Sequence, residues 1–176
     1  MLNCRGQQEV QVLNLCQRRL SKAAVKDAFV LTYDCMRRYE GVWHMERKLL
    51  FPSYIFLVSE NGDLLVNELS RAAVREQEAE VFSINDKEEE FLKALCGENG
   101  HLKMSKGVIR KGMTRITEGP LMGMEKQICR IDRHKRLAKL ALPAGQRYRR
   151  IPGHPDRLSC GFSYILAGLE IAEKSL

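Results

Sequence analysis

The chain has 176 residues, 44% of them hydrophobic, and a formal net charge of +7. That length makes one medium domain or two small ones and is enough to bury a core. No run of about 18 apolar residues is present, which excludes an apolar membrane-spanning helix and predicts no membrane partner. Behind Arg5 the amino terminus lacks the apolar stretch of a secretory signal, so a cytoplasmic location is expected. The six cysteines, Cys4, Cys16, Cys35, Cys96, Cys129 and Cys160, are widely spaced, with no CxxC pair and no histidine at ligand spacing. They read as reduced thiols, and neither a metal nor a cofactor is expected.

In chain order, Met1 to Cys4 reads as a short strand, and Gln7 to Leu20 carries Val10, Leu13, Cys16 or Gln17, and Leu20 at the spacing of an amphipathic helix. Ala28 to Tyr33 is rich in strand formers. After the basic, aromatic stretch MRRYEGVWHMERK comes LLFPSYIFLV, where Pro52 cannot donate to a ladder and so predicts a strand beginning near Ser53. Alternation puts Tyr54, Phe56 and Val58 on one face and Ile55 and Leu57 on the other, so both faces are apolar. Either helices cover both faces, or one face meets a partner.

ENGD at 60–63 predicts a turn and Leu64 to Ala73 a second helix. Ser83 or Asn85 can cap a third helix, with acidic residues in its first turn and Gly97 behind its last apolar position. The first hundred residues therefore suit a small antiparallel sheet with helices packed on it. Residues 98–107 read as a linker. Beyond it, strand-like pieces around Met113 to Thr117, Gln127 to Asp132 and Leu137 to Leu142, broken by EGPLMG and DRHK, imply a small barrel or rolled sheet.

Charge divides the chain at the same place. Residues 1–100 hold 13 Lys or Arg against 16 Asp or Glu, whereas residues 101–160 hold 15 against 4. Such asymmetry points to a polyanion partner for the second part, the bland reading being a solvated basic face. Candidate phosphate ligands are Arg110, Lys111, Arg115, Arg130, Arg133, Lys135, Arg136 and Lys139, with His134 either solvated or against a base. No histidine has an acid or nucleophile at motif spacing, and there is no P-loop or dinucleotide fingerprint, so no catalytic residue is nominated and no enzyme is expected.

The stretch GMTRITEGPLMGMEKQICRIDRHKR, with its glycines at 119 and 123, resembles the KOW motif of NusG-type transcription elongation factors. FPSYIFL resembles the signature strand of that family's amino-terminal domain, and EVQVLNLCQRRL stands where its first helix falls. MSKGVIRKG, TEGPLMGME and IDRHKR together resemble most the specialised paralogs called LoaP, which are antiterminators. The resemblance implies an α+β chain. Residues 1–97 would be a NusG-type domain of antiparallel sheet and helices, and 108–176 an all-β KOW barrel with a basic loop insert at 143–161.

It also implies a monomer whose amino-terminal part grips the clamp helices of RNA polymerase. Phe51, Tyr54 and Phe56 would border that surface and Trp43 and Tyr39 are candidate neighbours, leaving the Ile55 and Leu57 side as core. The basic part would read a nascent RNA hairpin, whereas general NusG proteins use it to contact Rho or the ribosome. A ribosome-associated KOW protein, which binds ribosomal RNA and needs no polymerase, is the remaining alternative.

Overall fold

The computed structural model describes residues 1–4, 8–72, 81–142 and 164–175. They form a mixed α+β structure, whose first elements are β1 (Leu2–Asn3), α1 (Glu9–Arg19), β2 (Asp27–Phe29), β3 (Thr32–Tyr39), β4 (Val42–Leu49), β5 (Tyr54–Val58) and α2 (Gly62–Arg71). There follow α3 (Asp86–Cys96), β6 (His101–Leu102), β7 (Ser105–Arg110), β8 (Met113–Glu118), β9 (Ile128–Asp132), β10 (Leu137–Ala141) and β11 (Tyr164–Ser175). No helix among the described residues is long and apolar enough to cross a membrane. The basic insert expected at 143–161 lies outside the described residues.

The residues separate into two compact units that do not follow chain order, because 32–50 and 86–142 group with the last strand. The first unit, described over 1–4, 8–31, 51–72 and 81–85, is built on an antiparallel sheet with β5 in the middle, Leu2 opposite Ile55 and Phe29 opposite Phe56. Helices α1 and α2 complete its core, in which Cys16, Ile55, Leu65 and Leu69 are buried and Val12, Leu13, Leu20 and Leu57 pack around them. Full burial of a side chain such as Ile55 or Leu69 is worth about 1.5–3 kcal/mol, which holds the helices down. Asn61 starts α2, its side-chain oxygen accepting the Leu64 N–H at 3.0 Å.

The strand expected near Ser53 begins at Tyr54, and Pro52 stands outside it. Phe51 to Tyr54 is a turn closed by the Tyr54 N–H on the Phe51 carbonyl at 3.2 Å, with Pro52 second and Ser53 third at φ 68°. Proline fixes the φ needed at the second position, and the positive φ at the third is the mark of a type II turn. A second departure is the single strand expected over Ala28 to Tyr33, which is split into β2 and β3 at Val30 and Leu31.

The second unit holds a hairpin and a five-stranded sheet. Strands β3 and β4 pair from Thr32 opposite Leu49 to Tyr39 opposite Val42, across Glu40 and Gly41 at φ 52° and 79°. Two positive φ values in a two-residue loop are what the twist of a tight hairpin needs. β7 and β8 join in the same way through Lys111 and Gly112, at φ 48° and 76°. The five-stranded sheet has the order β8-β7-β11-β10-β9, parallel only between β7 and β11.

Residues 98–107 contain two strand segments where a linker was expected. β6 pairs in parallel with Thr32 and Tyr33, and β7 starts at Ser105, which like Leu102 is fully buried. Gly119 explains the fixed start of β7, since a Cβ there would stand 2.7 Å from the Ser105 Cα. The Ser105 hydroxyl accepts the Leu121 N–H at 3.2 Å, which plants buried Leu121 under the sheet.

Candidate functional site

The aromatic residues nominated for a partner surface are divided between the two units. Phe51 and Phe56 are 3% and 5% exposed, and Phe56 stacks on Phe29 at 5.7 Å while meeting Phe51 edge-on at 5.5 Å. They are interior side chains. Both faces of β5 are therefore occupied, Ile55 by the helical core and Phe56 by the phenylalanine cluster. Tyr54 is half-buried, with its hydroxyl accepting from the Asn3 amide at 3.4 Å and its ring 6.4 Å from Phe82.

Tyr39 and Trp43 belong to the second unit and sit on opposite faces of the hairpin by their register. Tyr39, 46% exposed, lies flat on His44 at 3.6 Å between ring centres. Trp43 is half-buried beneath the Arg136 guanidinium, 4.2 Å from its ring centre, and Arg136 also pairs with Glu170 at 2.7 Å. One residue from each nominated set, Trp43 and Arg136, is thus brought together.

The other cations fall into two groups separated by β11 in the strand order. Arg110, Lys111 and Arg115 lie on the β7–β8 hairpin and are exposed. Arg110 and Arg115 border a shallow depression of about 530 Å³ whose floor and rim include Val108, Ile116, Met113 and Met122. Glu125 shields the outer edge of β8 by accepting the Ile116 N–H at 3.1 Å. Backbone N–H donors, its own and that of Ile116, hold the Glu125 carboxyl below its ordinary range.

Arg130 and Lys139 face each other across β9 and β10, and the turn beyond them presents Arg133, His134 and Lys135, all exposed. The turn has a fixed form because the Asp132 carboxylate accepts the Lys135 N–H at 2.9 Å and the Arg136 carbonyl accepts the Leu169 N–H at 2.9 Å. Three consecutive cationic or titratable side chains are consequently held outward, while Arg136 folds back. Sequence reasoning passed over Tyr164 and Leu166, which stand beside Lys139. Their signal was the unbroken apolar run YIL at the start of the last strand, which leaves apolar side chains on both faces.

No reactive thiol emerges from Cys4, Cys16 or Cys96, which burial pushes up to about 12, 11 and 12, so each stays protonated at neutral pH. Cys35 is also buried and raised, and the five described cysteines are free. Among the described residues no three His, Cys, Asp or Glu side chains are placed to hold a metal. His101 has an acid beside it that spacing alone did not reveal. Its Nε2 lies 3.0 Å from Asp34, its Nδ1 2.8 Å from the Thr32 hydroxyl, and Arg47 approaches at 3.4 Å. That network fastens β6 to β3.

No protein-family model matches the chain, nor does any curated protein.

Proposed function

We propose that the protein is a NusG-type transcription elongation regulator that promotes processive antitermination after recruitment by a leader RNA hairpin. In this proposal residues 1–97 are the polymerase-binding part and 108–176 a KOW-type barrel. The reading is of a cytoplasmic, non-enzymatic monomer without cofactor, whose partners are the clamp helices of RNA polymerase and nascent RNA. The single observation that carries it is the fixed cationic turn at 133–135 on a glycine-punctuated five-stranded sheet. The polymerase half of the proposal rests on the resemblance of FPSYIFL and EVQVLNLCQRRL to the family's amino-terminal domain, with which the α+β make-up of the chain is compatible.

Mechanistically, a factor that binds the elongating form of polymerase better than the paused form shifts the population away from termination. Its cations position RNA through phosphates, which brings the factor to particular transcripts when shape or bases are also read. The test is transcription in vitro through a terminator, on templates with and without a candidate leader hairpin. Readthrough that rises with the protein only on the hairpin template is expected; readthrough unchanged on every leader would sink the antitermination claim. Capture of polymerase without any hairpin effect would favour the general elongation role, and binding of ribosomal RNA without polymerase the ribosomal one.

A further inference from the structure

The outer face of β9, β10 and β11 combines cations with exposed apolar surface. Lys139 stands opposite Arg130 on one side and Leu166 on the other, so the three side chains form a row across the sheet. Tyr164, two residues before Leu166, shares that face, and the Lys139 ammonium lies 3.3 Å from its ring centre. Tyr164 and Leu166 are 44% and 37% exposed. Further along β11, Gly168 is packed against the Asp34 carbonyl and Met104, so that face is covered there, while Tyr164 and Leu166 stay exposed.

A tyrosine left half open on a sheet, with one cation over its ring and a second beyond that cation on the next strand, has the features of a stacking platform. Every base offers a π face to such a ring, and the cations meet the phosphates on either side. The acids nearby are engaged elsewhere, Asp132 with the Lys135 N–H and Glu170 with Arg136. We infer that Tyr164 stacks an unpaired RNA base, with Arg130 and Lys139 holding the adjoining phosphates. The inference rests on the RNA-binding part of the proposed function and adds that single-stranded RNA, beyond a duplex stem, is a ligand. An acidic protein segment would suit the cations but has no use for an open ring.

The experiment measures binding of the full chain to labelled oligouridine and to a blunt RNA duplex, for wild type, Tyr164→Ala and Tyr164→Phe. Loss of one stacked base is expected to weaken oligouridine binding about tenfold in Tyr164→Ala. Duplex affinity should be unchanged, and Tyr164→Phe should behave as wild type. Equal affinities of Tyr164→Ala and wild type for oligouridine overturn the inference while leaving duplex binding to support the broader reading. Binding of neither RNA by wild type removes both. Should Tyr164→Ala fail to fold, ultraviolet crosslinking of oligouridine to wild type decides the matter: a crosslink at Tyr164 supports the platform, and crosslinks only elsewhere overturn it. Polyglutamate binding that depends on Tyr164 would reassign the face to an acidic protein segment.

Discussion

Ser53 holds a φ of 68° in the turn ahead of β5, a conformation that costs a side-chain-bearing residue about 1–2 kcal/mol. Its neighbours over-determine it: the Ser53 N–H donates to the Glu9 carboxylate at 2.6 Å, and its carbonyl accepts the Cys4 N–H at 2.6 Å. Replacing Ser53 with glycine should raise unfolding stability by about 0.5–1 kcal/mol, since glycine's added freedom in the unfolded chain offsets part of the relief. Glu9→Ala should do the reverse, leaving a partly buried N–H without its acceptor at a cost of about 1–3 kcal/mol. Urea denaturation midpoints check both.

Glu68 offers a pH test. The Ser21 hydroxyl at 2.6 Å and the Ser21 N–H at 2.7 Å hold its carboxyl below the ordinary value of 4.5. A carboxyl lowered in the folded state adds stability above its unfolded value and loses it as pH falls through the lower folded one. Glu68→Gln should therefore flatten the acid side of a melting-temperature profile below about pH 4.5 and change little of its slope near neutrality. Pro52 was legible in sequence as a boundary, but the left-handed serine after it was not, because that site ordinarily calls for glycine or asparagine.

At the scale of elements, β11 is crossed by β3 so closely that a Cβ on Gly168 would collide with the Asp34 carbonyl and the Met104 sulfur. The carbonyl is backbone and cannot swing aside. Gly168→Ala should thus cost about 1–3 kcal/mol through overpacking. Gly62→Ala, where nothing stands within 4 Å, is the matched control and should leave the denaturation curve nearly in place. Helices α1, α2 and α3 were readable because each repeats apolar residues at helical spacing between recognisable ends. The β3–β4 hairpin was not, since Arg37, Arg38, Arg47 and Lys48 break the apolar alternation that marks a strand. Its signal was the Glu40–Gly41 pair, whose two positive φ values set the register of the whole hairpin. The start of β7 was hidden for another reason: Ser105 and Gly107 look like linker residues, yet Ser105 is buried to place Leu121, and Gly107 passes within 2.9 Å of the Arg115 carbonyl if given a Cβ.

For the whole molecule, charge distribution sets how RNA affinity responds to salt. Fifteen cationic against four acidic residues over 101–160 was visible in the sequence, but which of them are free to meet phosphate was a matter of folding. Lys106 is paired with Glu118 at 2.8 Å, and Arg136 is tied to Glu170 and laid over Trp43. Arg133 and Lys135 are exposed on a turn whose backbone bonds hold it open. Counterion release predicts that each cation in contact with a phosphate steepens the fall of affinity with salt, by roughly 0.7 in the log–log slope per contact on single strands. Arg133→Ala and Lys135→Ala should therefore each reduce the slope by about that amount and weaken binding most at low salt. Arg136→Ala should leave the slope close to wild type while lowering thermal stability, because its charge is already spent on Glu170 and its stem on Trp43. Titrations of labelled RNA at several salt concentrations measure all three variants together. A slope that falls in Arg136→Ala and holds in Arg133→Ala would mean that RNA displaces the Arg136 contacts, placing the phosphate path across the hairpin face and away from the turn.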